Sequence, residues 1–200
     1  MTDAIPRMID AIFDVSGETL PASYPFALWN ALVRRVPALE ADARVGVIPL
    51  RAAASEAGML LPKRAKLVLR LPDTLSAHSM SLSGQRLDID GRTLQLGNGK
   101  LREIQSYATL HAHLVTGVED EVQFLEDVTA RLSELGIAGK LICGMRNSMM
   151  AQDRSIHGYS LVIHDLKPDD SLRLQCTGLG ADRRFGCGIF IPYKVITDLD

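Results

Sequence analysis

Four glycines and two adjacent arginines stand close together near the end of this 200-residue chain: Gly178, Gly180, Arg183, Arg184, Gly186 and Gly188. Their spacing is G-x-G-(x)5-G-x-G, directly ahead of the apolar run Ile189-Phe190-Ile191. Glycine has no Cβ, so a loop built from it reaches φ > 0 and lets a backbone or a phosphate approach closely. Arginine adds a permanently charged planar fork of donors that suits phosphate oxygens. The combination predicts an anionic partner, with nucleic acid as the expected class. It is not a nucleotide P-loop, which ends in Gly-Lys-Ser/Thr and opens a helix. A kinase-type glycine loop would need companion motifs that this chain lacks.

Other residues could share that work. Lys63, Arg64, Lys66 and Arg70 form the densest basic run, and Arg146 and Arg154 flank an expected hairpin. Such runs are either solvated faces or tracks for a phosphate backbone, the latter with a steep salt dependence. His111 and His113 share one face of an alternating segment with Tyr107, and could present stacking and hydrogen-bonding groups to bases or simply line a half-buried strand. His157 follows Arg154 on a strand with Tyr159, and His78 and His164 have no supporting neighbours. No third ligand accompanies the histidine pair at metal-binding spacing, and Cys143, Cys176 and Cys187 are too scattered for a zinc site or a disulfide framework. Reduced structural thiols and no metal or cofactor are expected.

Composition sets the frame. A hydrophobic content of 46% predicts a folded core, and a formal charge of -2 means that anion recognition must come from local clustering. The start Met1-Thr-Asp-Ala-Ile-Pro-Arg7 does not read as a signal peptide and no stretch is long enough to span a bilayer, so a cytoplasmic protein is expected.

The elements that must position these residues fall into two similar halves. Met8–Val15 alternates as a strand, with Ile9, Ala11, Phe13 and Val15 on one side and Asp10 and Asp14 on the other. Ser23–Val36 carries a helical stripe of Leu28, Ala31, Leu32 and Val36 that Pro37 stops. Short strands are expected at Val45–Leu50, Leu67–Leu71, Leu87–Ile89 and Leu94–Leu96, with a hairpin turn at Asp90-Gly91. The second half opens with a strand over Tyr107–Val115, followed by a helix capped by Asp120 with Gln123 and striped by Val122, Leu125, Val128, Leu132 and Leu135. Leu141–Met150 and Ser155–Ile163 read as strands, Pro168–Gln175 as a helix and Cys187–Ile191 as a last strand. The class is α+β, with two tandem ferredoxin-like (RRM-like) βαββαβ halves, residues 1–100 and 101–200, divided at a Gly97-Asn-Gly-Lys100 turn.

Two such halves with a terminal glycine-rich loop resemble the repeat-associated RNA-binding superfamily of CRISPR systems. In particular, the chain resembles the endoribonuclease family that cuts precursor repeat transcripts into guide RNAs, in its short type I myxobacterial-subtype form. Phe13-Asp-Val-Ser-Gly17 with Leu20-Pro21, Phe26-Ala-Leu-Trp-Asn-Ala-Leu32, Leu82-Ser-Gly84, Leu135-Gly-Ile137 and Ser171-Leu-Arg-Leu-Gln175 leading into the loop carry the likeness. The resemblance implies binding of a repeat stem-loop, metal-independent cleavage at its 3′ side, and retention on the product beside other effector subunits. The ribose 2′-hydroxyl would attack the adjacent phosphate, leaving a 2′,3′-cyclic phosphate and a 5′-hydroxyl. Such chemistry calls for a base, an acid and positive charge on the phosphorane.

Family members commonly place a histidine near the start of the first helix, where this chain has Ser23-Tyr24. A free tyrosine titrates near about 10, which makes Tyr24 a proton donor or a positioning hydrogen bond and a poor base. His157 is the candidate substitute for the missing imidazole. A catalytically silent RNA-binding subunit and a small-molecule enzyme on the same scaffold stand as alternatives.

Overall fold

The computed structural model describes residues 7–151 and 153–193. The first half contains β1 (Met8–Ser16), β2 (Thr19–Leu20), α1 (Tyr24–Arg35), β3 (Gly46–Ile48), β4 (Ala53–Ser55), β5 (Gly58–Leu60), β6 (Lys66–Pro72), α2 (Ser76–Met80), β7 (Arg86–Ile89) and β8 (Arg92–Glu103). The second contains β9 (Leu110–Thr116), α3 (Glu121–Glu134), β10 (Lys140–Ala151), β11 (Arg154–His164), α4 (Pro168–Thr177) and β12 (Ile191–Pro192).

The sheets run β3-β6-β1-β8-β7 and β10-β11-β9-β12, all antiparallel, with β2-β5-β4 as a small separate sheet. Each main sheet thus has the ferredoxin-like order, in which the first strand of the half lies between its third and its last. β7 is an added edge in the first. Asp90 and Gly91 both take left-handed backbone, φ 49° and 81°, and close the β7–β8 hairpin as expected.

α1 forms where its stripe and its stops agree. Pro25 sits in the first turn and Val36 leaves helical geometry ahead of Pro37. Leu28, Ala31 and Leu32 are buried in the first core with Phe13, Leu67 and Leu69, and each such side chain contributes about 1.5–3 kcal/mol by leaving water. α3 is capped by Asp120, whose carboxylate accepts from the Gln123 amide at 2.9 Å.

Several expectations need correction. Gly97–Lys100 is not a turn, because β8 continues through it, with a bulge-like register shift against β1 between Leu96 and Gly99. Gly99 is there for packing: a Cβ on it would lie 2.4 Å from the Phe13 ring. The chain instead leaves the first sheet at Glu103 and enters the second at Leu110, its linker held by α4 through Tyr107 N to Ser171 Oγ at 2.9 Å and Gln175 Nε2 to Gln105 O at 2.8 Å. β9 accordingly excludes Tyr107, and a register shift opposite Tyr159 and Leu161 turns Val115 into the second core. On α3 it is Phe124 that is buried, and Val122 is 67% exposed. The last strand is only Ile191–Pro192, with Cys187 and Phe190 buried in irregular backbone before it.

Asp10, assigned to a polar face, is buried. It accepts from Arg70 Nε at 2.8 Å and Nη2 at 3.2 Å, and the same guanidinium donates from Nη1 to Phe190 O at 2.7 Å. Arg70 therefore leaves the surface basic run and joins the two halves. Leu114, Ile156, Phe185 and Cys187 of the second half also pack into the first core, which makes the seam between halves continuous.

Candidate nucleic-acid interface

The glycine-rich loop lies in that seam. Gly178 caps α4 with φ 66°, its amide donating to Leu174 O at 2.8 Å. Leu179 N then donates to Gly188 O at 3.1 Å, and Gly188 N to Leu114 O at 2.7 Å. A Cβ on Gly188 would lie 1.8 Å from Leu179 O, so the loop can close on itself only with glycine there. Gly186 is buried against Pro49, and Gly180, next to Thr116, is exposed. Of the two close approaches that glycine allows here, Gly178, Gly186 and Gly188 serve that of the protein's own backbone and side chains.

The two loop arginines separate. Arg183 is 8% exposed, with Nε donating to Arg44 O at 3.2 Å. Burial, and then the charge of Arg70, lower its pKa to about 10. Arg184 faces outward, its guanidinium 5.0 Å from the Phe185 ring centroid. Arg154 reaches the same ring from β11 at 5.1 Å and pairs with Asp182. Phe185 in turn stands 4.6 Å from Phe26 in the first turn of α1. The Phe26–Phe185 contact thus assembles the site, and it brings two guanidinium groups to the amino end of α1.

At that end Ser23 is the cap residue, half-buried, with no side-chain capping bond. No acidic residue stands in the first turn of α1, so the positive end of its dipole is not offset locally. Tyr24 is 8% exposed, and its hydroxyl accepts from Leu50 N at 3.1 Å. Burial raises its pKa above the ordinary 10.0, with the Leu50 amide opposing weakly. The phenol is therefore a neutral core group that ties α1 to the segment after β3.

β11 does not bring His157 to this cluster. Ile156 belongs to the same core as Tyr24, and alternation along the strand turns His157 to the opposite face. There it is exposed, with Nε2 2.6 Å from Ser155 Oγ.

The remaining candidates form outlying cations. Lys63 and Arg64 are exposed ahead of β6, Lys66 pairs with Asp14, and Arg146 on β10 pairs with Glu119. His111 is half-buried, edge-on to Tyr193 with centroids 5.5 Å apart, and His113 is exposed two residues along. Burial first, and then the charge of His113, hold the His111 pKa below 6.5; Arg51 acts in the same direction, against backbone bonding at Ile191 and Pro192.

Sequence reading missed Phe26, Phe185, Tyr193 and Arg51. Phe185 had a signal, as the one aromatic of the glycine-rich loop, beside Arg184. Phe26 had none, since it looked like one more apolar residue of a helix. Among the described residues no helix is long and apolar enough to cross a membrane.

Two ferredoxin-like sheets in tandem, joined along a seam that holds a glycine-rich loop and a paired-arginine surface, define the class of protein. A family model described as Cas6 Crispr matches residues 9–195. The chain is 33% identical over 186 residues to the CRISPR-associated endonuclease Cas6 of Myxococcus xanthus (strain DK1622), covering 92% of this chain and 81% of that protein. The chain belongs to the Cas6 family. Its fold is similar to that of a solved CRISPR associated protein Cas6, with TM-score 0.64 at 10% identity over 94% of this chain and 99% of that one. It is similar also to a Cas6-related protein from Pyrococcus furiosus, with TM-score 0.64 at 11% identity over 96% and 100%. CRISPR endoribonuclease Cse3, solved bound to a 19 nt RNA, gives TM-score 0.54 at 13% identity over 92% and 98%.

Proposed function

We propose that this chain binds CRISPR repeat stem-loops in precursor RNA and cleaves them without metal, then stays on the 3′ hairpin as a subunit of an effector complex in the cytoplasm. The observation that carries the reading is the pair of guanidinium groups, Arg154 and Arg184, gathered on Phe185 beside the amino end of α1. A scissile phosphate there would meet two cations, the Ser23 hydroxyl and the positive end of the α1 dipole, while the Tyr24 and Phe26 amides stay bonded to Pro21 O and Ser23 O. Those groups are suited to the charge that develops on a phosphorane when a 2′-hydroxyl attacks. The nucleophile belongs to the substrate, so the protein need supply only orientation, proton transfer and charge. The likeness to the Myxococcus xanthus endonuclease over nearly the whole chain supports the same reading.

Within it, Tyr24 is a positioning residue that fixes the start of α1. Lys63, Arg64, Arg146, His111 and His113 are candidate contacts to the flanks of the hairpin. The test is incubation of the purified protein with its cognate repeat RNA in a chelator. A cut leaving a 2′,3′-cyclic phosphate and a 5′-hydroxyl is expected, and a 2′-deoxy nucleotide at the cleavage position should abolish it. Cleavage that survives the 2′-deoxy block contradicts the mechanism.

A second reading, tight repeat binding without cleavage, is favoured by one observation: neither Tyr24 nor His157 presents a titratable group beside Ser23. Nanomolar binding with intact RNA after hours would select it.

A further inference from the structure

Arg183 is set apart from every other cation of the loop. Its Nη1 and Nη2 are buried with no hydrogen-bond partner among the described residues. The buried carboxylate of the seam, Asp10, is engaged by Arg70 at 2.8 Å and by Arg102 at 3.3 Å. Arg70 adds a second buried positive charge to its surroundings. A buried ion with no counter-charge is unfavourable, and a state that offers it an anion is favoured by the difference.

The backbone that carries it is also suited to a change of state. Arg183–Phe185 is a short 3-10 turn between Asp182 at φ 63° and Gly186 at φ 93°. A non-glycine residue in the left-handed region is strained and persists only where its surroundings hold it. Here the hold is the ion pair of Asp182 with Arg154 and the bond from Ala181 N to Thr116 Oγ1 at 2.7 Å. Arg154 is exposed, so a phosphate arriving at the seam competes with Asp182 for it.

We propose that Arg183 is a phosphate ligand held in reserve: RNA that draws Arg154 from Asp182 releases the turn, and the Arg183 guanidinium moves from the seam onto the RNA backbone. The inference rests on the RNA-binding reading above. It adds a contact that the free structure conceals, and it makes the fit between the two halves respond to the ligand.

The test is the salt dependence of binding to the cognate repeat hairpin, compared for the wild-type protein, Arg183→Met and Arg184→Met. Each phosphate contact contributes about 0.7–0.9 to the slope of log K against log salt. Arg183→Met is expected to lower the slope by about that amount, as is Arg184→Met. An unchanged slope in a folded Arg183→Met protein means that the guanidinium stays inside, and overturns the proposal while the RNA reading stands. Failure of the wild-type protein to bind the hairpin overturns both. If Arg183→Met does not fold, amide hydrogen exchange on the wild-type protein decides. The Phe185 and Gly186 amides, bonded to Asp182 O and Arg183 O at 2.9 Å each, should exchange faster with RNA bound. Unchanged or slower exchange contradicts the release.

Discussion

Tyr24 shows how one side chain can occupy a catalytic position in sequence and a structural one in space. Its hydroxyl satisfies the amide of Leu50, itself buried, so Tyr24→Phe leaves that N–H without an acceptor. A loss of about 1–3 kcal/mol in unfolding free energy is expected from a denaturant titration. Single-turnover cleavage should stay within a few-fold of wild type; a drop of 100-fold at unchanged RNA affinity would put the phenol in the chemistry after all. His111 gives a second prediction at this scale. Its folded pKa lies below the unfolded 6.5, so the unfolded state binds the proton more readily. The stability contribution is therefore intact above about pH 7 and is lost as pH falls through and below the ordinary histidine range. His111→Gln should flatten the fall in denaturation midpoint between about pH 7 and pH 5, and an unchanged slope excludes the group as a source.

The glycine-rich loop is the element on which sequence and structure differ most. Its four glycines were legible as positions needing left-handed or crowded backbone, and all four have φ between 64° and 93°. What crowds them was not legible, because Leu179, Arg183, Pro49 and Thr116 meet them only in the folded chain. Gly188→Ala places a Cβ against Leu179 O in left-handed backbone, and should cost about 2–5 kcal/mol by chemical denaturation. A near-neutral result would mean that the loop does not close as described. The strands, α1 and α3 were readable because their periods, caps and stops agree, as at Pro25 with Pro37 and at Asp120 with Gln123. The Gly97–Lys100 segment misled because glycine in a strand can serve packing as well as turning, and only the Phe13 ring distinguishes the two. The paired-arginine surface was half readable: Arg154 and Arg184 carry their charge in the sequence, whereas the Phe26–Phe185 contact that joins them to α1 depends on how the halves dock.

Across the whole molecule, the docking depends on a few polar links set into an apolar seam. Arg70 ties β1 to the carbonyl of Phe190 while Asp10 holds its charge, and both are almost completely buried. Asp10→Asn leaves Arg70 without its counter-charge, and a loss of about 3–5 kcal/mol is expected in thermal or urea unfolding. Both halves should be affected together, since the link spans them; loss of the first half's signal alone would show that they unfold separately. The same seam presents the proposed recognition surface, so its integrity and RNA binding should rise and fall together. The most direct measurement is therefore the affinity of the cognate repeat hairpin for the wild-type protein and for a folded Arg154→Ala/Arg184→Ala variant. At about 100–200 mM salt a loss of at least about tenfold is expected, with a shallower salt slope and a parallel fall in cleavage. Wild-type affinity in the folded double variant would contradict the assignment of this surface.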